Sequence, residues 1–179
     1  MASLIRKIRF KIIIAGDPGV GKTSIIKNLS MNNFEKKYIS TVGFQISKKE
    51  VKEKEREFSV LIWDIAGQPQ FHLIRPNFYQ GSSAAIFVFS LTDRPSFYNV
   101  KNWVKECFRY INYIPSILVG NKSDLKNERI IITPQGKNLA DGLGFRYIET
   151  SAKTGENIDQ LFELLIKDIF DHNEKKENY

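Results

Sequence analysis

The sequence has little cysteine and no long apolar run. Cys107 is the single cysteine among 179 residues, so an internal disulfide is excluded and a reducing, cytoplasmic setting is favoured. The longest apolar runs, such as residues 84–89, are far too short to cross a bilayer. The first residues, MASLIRKIRFK, lack an apolar stretch of signal-peptide length. With no internal repeat and no linker, the length predicts one domain over residues 1–179, with flexible ends at 1–7 and 171–179.

Acidic residues are outnumbered, since 27 Lys and Arg face 20 Asp and Glu and give a net charge of +7. Such a balance can indicate binding to nucleic acid or to an acidic membrane surface. No segment, however, interleaves basic and aromatic residues as a nucleic-acid platform does. The basic clusters at 6–11 and 48–56 are short, and glutamates dilute the second. We therefore predict no nucleic-acid partner and interpret the charge as lysines scattered over solvated faces.

Apolar runs alternate with helical patterns along the chain, which predicts an α/β fold. Continuous runs predict buried strands at 10–15, 84–90, 116–120 and 145–150, and looser alternation predicts a hairpin over 44–51 and 57–65. Helical spacing predicts helices over 23–29, 96–110 and 134–143, and a last helix capped by Asn157 whose apolar stripe ends at Ile169. This alternation predicts a mostly parallel sheet covered on both faces. Ligands of such sheets bind beyond the carboxyl ends of the strands.

A glycine-rich loop that matches GxxxxGK[ST] follows the first strand and opens the first helix. Glycines let the chain curl so that backbone N–H groups surround a polyphosphate, and the helix N-terminus adds partial positive charge. Lys22 reaches the β and γ phosphates, and the Thr23 hydroxyl suits a hard cation such as Mg²⁺. Pro18 removes one N–H donor from this loop. The predicted nucleotide-binding residues here are Gly16, Asp17, Pro18, Gly19, Val20, Gly21, Lys22, Thr23 and Ser24.

Two further loops are placed to recognise a base. Asp124, in the sequence NKSD after the strand at 116–120, can accept hydrogen bonds from the N1–H and the N2 amino group of guanine. Adenine lacks that donor pair and would leave a buried carboxylate unpaired. The SAK sequence after the strand at 145–150 offers backbone donors for guanine O6, although alone it is an ordinary turn. The predicted base-binding residues are Asn121, Lys122, Asp124, Leu125, Ser151, Ala152 and Lys153.

A third group of residues is suited to detect the γ-phosphate. Asp64 can hold Mg²⁺ through water, the Gly67 N–H can meet a γ-phosphate oxygen, and Gln68 can orient the attacking water. The hydroxyl and N–H of Thr41 suit Mg²⁺ and the γ-phosphate. Each has an ordinary alternative: Asp64 could make an Asx turn at a strand end, and Thr41 could be a simple loop residue. We predict Lys22 and Gln68 as catalytic and Thr23, Thr41 and Asp64 as metal ligands.

Over residues 8–170 the chain resembles the Ras superfamily of small GTPases, and within it the Rab proteins. The segments YISTVGF, WDIAGQPQF, VGNKSDL and ETSAKTGENIDQLF are similar to Rab segments in the same order. The resemblance implies the three-layer P-loop NTPase fold, with a six-stranded sheet, five helices and two nucleotide-sensing switches, at 35–44 and 66–79. It implies that Phe34 packs against guanine and that Tyr38 closes over the phosphates. GTP and GDP are the implied ligands, with Mg²⁺ as cofactor.

The resemblance also implies effector, exchange-factor and activator proteins that bind through the two switches. The family's partner-binding aromatic cluster corresponds to Ile46, Trp63 and Tyr79, although Trp63 could equally be a core residue. The C-terminus has no cysteine for prenylation and residue 2 is alanine, so no lipidation site is predicted in this chain. Either the chain has been shortened, which we favour, or it acts without a lipid anchor. Peripheral association with intracellular membranes stays open.

We therefore predict a Rab- or Ras-like switch in membrane traffic or signalling that hydrolyses GTP slowly, on the order of 10⁻⁴ to 10⁻³ per second unaided as in Ras. No arginine is obviously placed as a finger in cis, since Arg75 lies in the second switch without motif support. Three alternatives remain. One is a GTP-binding module without hydrolysis, which Pro18 and Pro69 keep open, another is a superfamily member outside the Rabs, and the last is a P-loop kinase or ATPase.

Overall fold

The computed structural model describes residues 8–30, 44–53, 56–67 and 69–177. Within them, strands alternate with helices as the apolar pattern predicts. The strands are β1 (Ile8–Ala15), β2 (Phe44–Glu53), β3 (Arg56–Ile65), β4 (Ala84–Ser90), β5 (Ser116–Asn121) and β6 (Arg146–Thr150). The helices are α1 (Lys22–Ser30), α2 (Arg75–Tyr79), α3 (Arg94–Tyr110), α4 (Thr133–Leu143) and α5 (Ile158–Glu177). Short 3₁₀ turns occur at Pro69–Phe71 and Lys126–Glu128.

The six strands form one sheet in the order β2-β3-β1-β4-β5-β6. Only β2 runs antiparallel to its neighbour β3, and the other neighbouring pairs are parallel. The described residues thus confirm the predicted mostly parallel sheet of six strands with five α-helices. The parallel pairs require crossover helices, and these cover both faces of the sheet.

The core lies on both faces because successive residues of a strand point in opposite directions. In β1, Ile12 and Ile14 pack with the apolar stripes of α1 and α5. Ile13 and Ala15 pack on the other face, with residues from α2, α3 and α4. This arrangement explains why the central strands are continuous apolar runs: they are buried on both sides. Among the described residues, every helix is too short or too polar to cross a bilayer.

The helix ends differ in places from those predicted. α3 begins at Arg94, ahead of the predicted 96, because Asp93 caps it by accepting a hydrogen bond from the Ser96 N–H at 3.2 Å. α5 continues to Glu177, well beyond the end of its apolar stripe. Asn157 precedes α5 as predicted, but not as the expected cap. Its φ is +59°, in the left-handed region, and its side-chain amide donates to the Glu149 carbonyl at 2.8 Å.

Candidate functional site

The loop between β1 and α1 requires glycine at three positions, for two different reasons. A Cβ on Gly16 would lie 2.2 Å from the Val88 carbonyl oxygen, and a Cβ on Gly21 would lie 2.2 Å from Asn121 Nδ2. Gly19 has open space around it but a φ of +77°, which side chains disfavour. The three glycines predicted to let the loop curl are therefore required by close contacts at two positions and by backbone conformation at the third.

Lys22 points its ammonium group into this loop. Nζ donates to the carbonyl oxygens of Gly16 and Asp17, both at 2.8 Å, and only 7% of the residue is exposed. Burial lowers the pKa of Lys22, while the negative charges of Asp64 and Asp17 act in the opposite direction. The loop therefore encloses the Lys22 ammonium group at the position predicted for the phosphates. Of the neighbouring predicted residues, Val20 is buried, whereas Pro18 and Ser24 are exposed.

Thr23 and Asp64 meet beside the lysine, although they come from different elements. The Thr23 hydroxyl, at the start of α1, donates to Oδ2 of Asp64, near the end of β3, at 2.5 Å. Asp64 is 7% exposed, and burial raises its pKa against the opposing effects of the Thr23 hydrogen bond and the Lys22 charge. Two adjoining oxygen ligands of this kind are what a hard divalent cation prefers. The structure thus brings together two of the three predicted metal ligands.

Gly67 lies directly against the phosphate loop. A Cβ at this position would lie 2.6 Å from the Gly16 carbonyl oxygen and 2.7 Å from the Pro18 nitrogen. The start of the second switch segment, residues 66–79, is therefore in backbone contact with the loop that encloses Lys22. The predicted residues Phe34, Tyr38, Thr41 and Gln68 lie outside the described residues, as does nearly all of the predicted first switch.

Asn121 connects the phosphate loop to the two loops predicted to read the base. Its side chain is 1% exposed and donates from Nδ2 to the Val20 carbonyl at 2.8 Å. Its Oδ1 accepts from the Thr150 hydroxyl at 3.1 Å and from the Ala152 N–H at 3.0 Å. One buried amide thus holds three segments that are far apart in sequence. The sequence predicted Asn121 as a site residue but not this clamping role.

The two loops predicted to read the base also contact each other directly. The Ser151 hydroxyl donates to Oδ1 of Asp124 at 2.6 Å, and the Ser123 N–H donates to the Thr150 carbonyl at 3.0 Å. Lys122 adopts a φ of +72°, an uncommon conformation for a residue with a side chain. Leu125 is partly buried and Lys153 is exposed. These bonds fix the Asp124 carboxyl group at the ends of β5 and β6, the edge where the phosphate loop lies.

One of the three residues predicted for the partner-binding aromatic cluster lies elsewhere, whereas Ile46 lies opposite Trp63 in the β2–β3 pairing. Tyr79 is fully buried, and its hydroxyl donates to Oε1 of Glu106 at 2.7 Å, so its placement in that cluster was wrong. Instead, Phe44 stacks on Trp63 with ring centroids 5.1 Å apart, and Phe78 lies 4.3 Å from Phe44. Phe78 and Tyr79 are adjacent on α2, so the rotation of that helix decides which of them faces the core. We call Phe44, Trp63 and Phe78 the aromatic cluster below.

Sequence reasoning missed two residues of α3 that hold the phosphate loop. Trp103 Nε1 donates to Oδ1 of Asp17 at 2.7 Å, and Asn99 Nδ2 donates to Oδ2 of the same carboxylate at 2.8 Å. The two donors are four positions apart, which places them on one face of the helix. That spacing was visible in the sequence, but nothing in the sequence identified the carboxylate they bind.

A glycine-rich loop of this sequence, placed after a strand and at the start of a helix, defines the chain as a P-loop protein. The sequence model of the Ras family matches residues 11–171. The "Ras-related protein RIC1" of Oryza sativa subsp. japonica is 37% identical over 161 residues, which span 89% of this chain and 80% of the relative. The "GTP-binding protein YPTM2" of Zea mays is 37% identical over 163 residues, or 90% of this chain and 80% of the relative. The "Ras-related protein Rab-1D" of Dictyostelium discoideum is 37% identical over 161 residues, or 89% and 79%.

The chain therefore belongs to the Ras family. It is a small GTP-binding switch protein and a GTPase, as the sequence predicted, and its similarity to Rab-named relatives agrees with the predicted Rab likeness.

Proposed function

We propose that this chain cycles between GTP and GDP at one site, built from the phosphate loop, Asp64, Gly67 and the loops around Asp124 and Ser151. The observation that carries this is the Asn121 clamp, because it fixes the phosphate-binding and base-reading loops on one edge of the sheet. In this site the Asp124 carboxylate selects guanine, and Lys22 with the loop N–H groups neutralises the phosphates.

Mg²⁺ is the cofactor we propose. The Thr23 hydroxyl and the Asp64 carboxylate, hydrogen-bonded to each other at 2.5 Å, supply oxygen ligands of the type it requires, and Thr41 is the third proposed ligand. When bound, the ion would neutralise charge on the β and γ phosphates. The Lys22 ammonium contributes a further positive charge from inside the loop, and the buried Asp64 carboxyl orients the Thr23 hydroxyl.

In this proposal, the presence or absence of the γ-phosphate determines the conformation of the two switch segments. Gly67 touches the phosphate loop, and its N–H is proposed to meet a γ-phosphate oxygen, while Thr41 is proposed to respond in the first switch. Gln68 is proposed to orient the attacking water, and Phe34 and Tyr38 to close over the nucleotide. We do not propose Arg75 as a finger in cis, because one edge of its guanidinium is bound to Glu106, through Nε and Nη2 at 2.8 Å each.

We further propose that the switch acts in membrane traffic, which the Rab-named relatives support. Effectors, exchange factors and activators would bind the two switches and the adjoining aromatic cluster, whose rings are only partly buried. The edge β2–β3 hairpin carries Phe44 and Trp63 of this cluster, and Phe78 comes from α2 in the second switch segment. We propose a cytoplasmic location, with peripheral association with intracellular membranes.

The test is single-turnover hydrolysis of bound GTP by wild type and by Gln68→Leu. The wild type should release phosphate over hours, and Gln68→Leu should release it at least about tenfold more slowly with unchanged GDP affinity, because the side chain positions water rather than the nucleotide. The exposed α4 variant Gln135→Leu is the matched control and should hydrolyse as the wild type does.

Two results would contradict parts of this proposal. Equal hydrolysis rates in wild type and Gln68→Leu would remove Gln68 from the mechanism. A wild type that binds GTP tightly but releases no phosphate would favour a GTP-binding module without turnover. Pro18 is the observation that favours that alternative, because it places a residue without an N–H donor in the phosphate loop, against Gly67.

A further inference from the structure

Three side chains on one face of α3 connect the phosphate loop to the second switch segment. Asn99, Trp103 and Glu106 follow at spacings of four and three, so they lie along one side of the helix. Asn99 and Trp103 bind the phosphate loop, whereas Trp103 and Glu106 bind α2. Trp103 contacts both, through its bond to Asp17 and its ring under Arg75.

On the side of the phosphate loop, Asn99 and Trp103 bind Asp17, the residue whose carbonyl group also holds Lys22. Trp103 Nε1 and Asn99 Nδ2 each donate to one carboxylate oxygen of Asp17, at 2.7 and 2.8 Å. The carbonyl oxygen of the same residue accepts from Lys22 Nζ at 2.8 Å. Movement of the indole would therefore move the residue that positions the phosphate-binding lysine. Hydrogen bonds to charged groups are stronger than those between neutral groups, so these two bonds hold the Asp17 carboxylate firmly.

On the side of the second switch segment, Arg75 of α2 packs against the indole of Trp103. The Arg75 guanidinium carbon lies 4.5 Å from the centroid of a Trp103 ring, within the range of a cation–π interaction. Its Nε and Nη2 bind the two carboxylate oxygens of Glu106, and the Tyr79 hydroxyl binds the same carboxylate. Arg75 is 6% exposed, so this contact is largely shielded from water.

We propose that Trp103 is a positioning residue through which the placement of Arg75, in the second switch segment, controls how firmly the phosphate loop holds its nucleotide. This connection runs through protein atoms alone and supplements any connection through the γ-phosphate. A protein that pulls Arg75 away from the indole would thereby speed nucleotide release. The inference deepens the proposed function and rests on the nucleotide site described there.

The test measures GDP dissociation with a fluorescent GDP analogue in four proteins: wild type, Trp103→Phe, Arg75→Ala and the double variant. Trp103→Phe keeps a ring under Arg75 but removes the N–H that binds Asp17, so release should be about five- to tenfold faster. Arg75→Ala should speed release about threefold in the wild-type background. In the Trp103→Phe background, Arg75→Ala should have no further effect, because the link to Asp17 is already broken.

Tyr98→Phe is the matched control, since Tyr98 lies on the same helix and is 63% exposed, and its release rate should equal that of the wild type. Thermal melting of each GDP-loaded variant separates loss of fold from loss of positioning, because a purely structural role would lower the melting temperature and would not abolish the effect of Arg75→Ala. If Trp103→Phe does not fold, Asn99→Ala replaces it. Asn99→Ala removes only the second donor, so release should be about threefold faster and Arg75→Ala should still add its effect.

The proposal is overturned if Trp103→Phe releases GDP at the wild-type rate, or if Arg75→Ala has the same effect with and without the indole. In the replacement experiment, Asn99→Ala with wild-type release overturns it. Failure of the wild type to bind GDP would instead overturn the nucleotide site itself, so the two failures are distinguishable.

Discussion

At the scale of single residues, the carboxylate proposed to read the base is the most specific feature of the site. Oδ1 of Asp124 accepts a hydrogen bond from the Ser151 hydroxyl at 2.6 Å, which fixes the direction of the carboxyl group. An asparagine at this position could still accept that hydrogen bond through its own Oδ1. Replacing Asp124 by asparagine therefore changes the chemistry presented to the base while leaving the loop's own contact in place.

Asp124→Asn should change the preferred base from guanine to xanthine. The neutral amide can no longer accept from both guanine donors, but its NH₂ can donate to the additional carbonyl of xanthine. GTP affinity should fall at least about 100-fold, as expected for the loss of paired charge-assisted bonds. Competition between GTP and XTP measures the change, with Asp159→Asn, on the exposed side of α5, as the control. A variant that still prefers GTP would show that Asp124 does not read the base.

At the scale of elements, the end of β3 and the phosphate loop are packed so closely that their backbones touch. A Cβ added to Gly67 would lie 2.6 Å from the Gly16 carbonyl oxygen and 2.7 Å from the Pro18 nitrogen. Real Cβ atoms are essentially never found so near backbone atoms, so a side chain would push the two elements apart. The second switch segment therefore starts from a position set by the phosphate loop.

Gly67→Ala should weaken GTP binding more than GDP binding. The added methyl group displaces the Gly67 N–H, which is proposed to meet the γ-phosphate that GDP lacks, so the ratio of the two affinities should change by about tenfold. Nucleotide competition measures this ratio. Gly142→Ala is the matched control, because a Cβ there meets nothing within 4 Å and alanine favours the helix α4. An unchanged ratio in Gly67→Ala would argue against the γ-phosphate contact.

Elements and loops could be predicted from sequence where short spacing determines them, but contacts between elements could not. The phosphate loop was found because its residues are adjacent in the chain, and the strands because their apolar runs are continuous. The bonds from Asn99 and Trp103 to Asp17 join residues 82 and 86 positions apart, so no local pattern contains them. Likewise, the choice between Phe78 and Tyr79 depends on how α2 is rotated against Glu106, which periodicity over five residues does not reveal.

At the scale of the whole molecule, the sheet edge proposed to bind the nucleotide depends on the packing of β6 against the segment that follows β5. Glu149 of β6 accepts from Arg129 Nη2 at 2.5 Å and from the Tyr147 hydroxyl at 2.9 Å. Burial alone would raise the pKa of Glu149, but hydrogen bonds from Arg129, Thr133 and Tyr147, with the Arg129 charge, outweigh it and lower that pKa. The backbone carbonyl of Glu149 accepts a hydrogen bond from the Asn157 side chain, so β6 is held just before the loop that begins at Ser151.

Glu149→Gln should lower the free energy of unfolding at neutral pH by about 1–2 kcal/mol, because the amide loses the charge-assisted bond to Arg129. The pKa of Glu149 in the folded protein lies below the value of 4.5 for the free group, so its ionised form stabilises the fold fully above about pH 4.5. As the pH falls further, through the folded pKa, that contribution is lost, and the difference between wild type and variant should shrink. Urea unfolding at pH 7 and pH 3.5, at one fixed GDP concentration, measures both values, with exposed Glu163→Gln as the control. If the difference in unfolding free energy between wild type and variant is the same at both pH values, the Glu149 charge does not stabilise the packing of β6 against its neighbours.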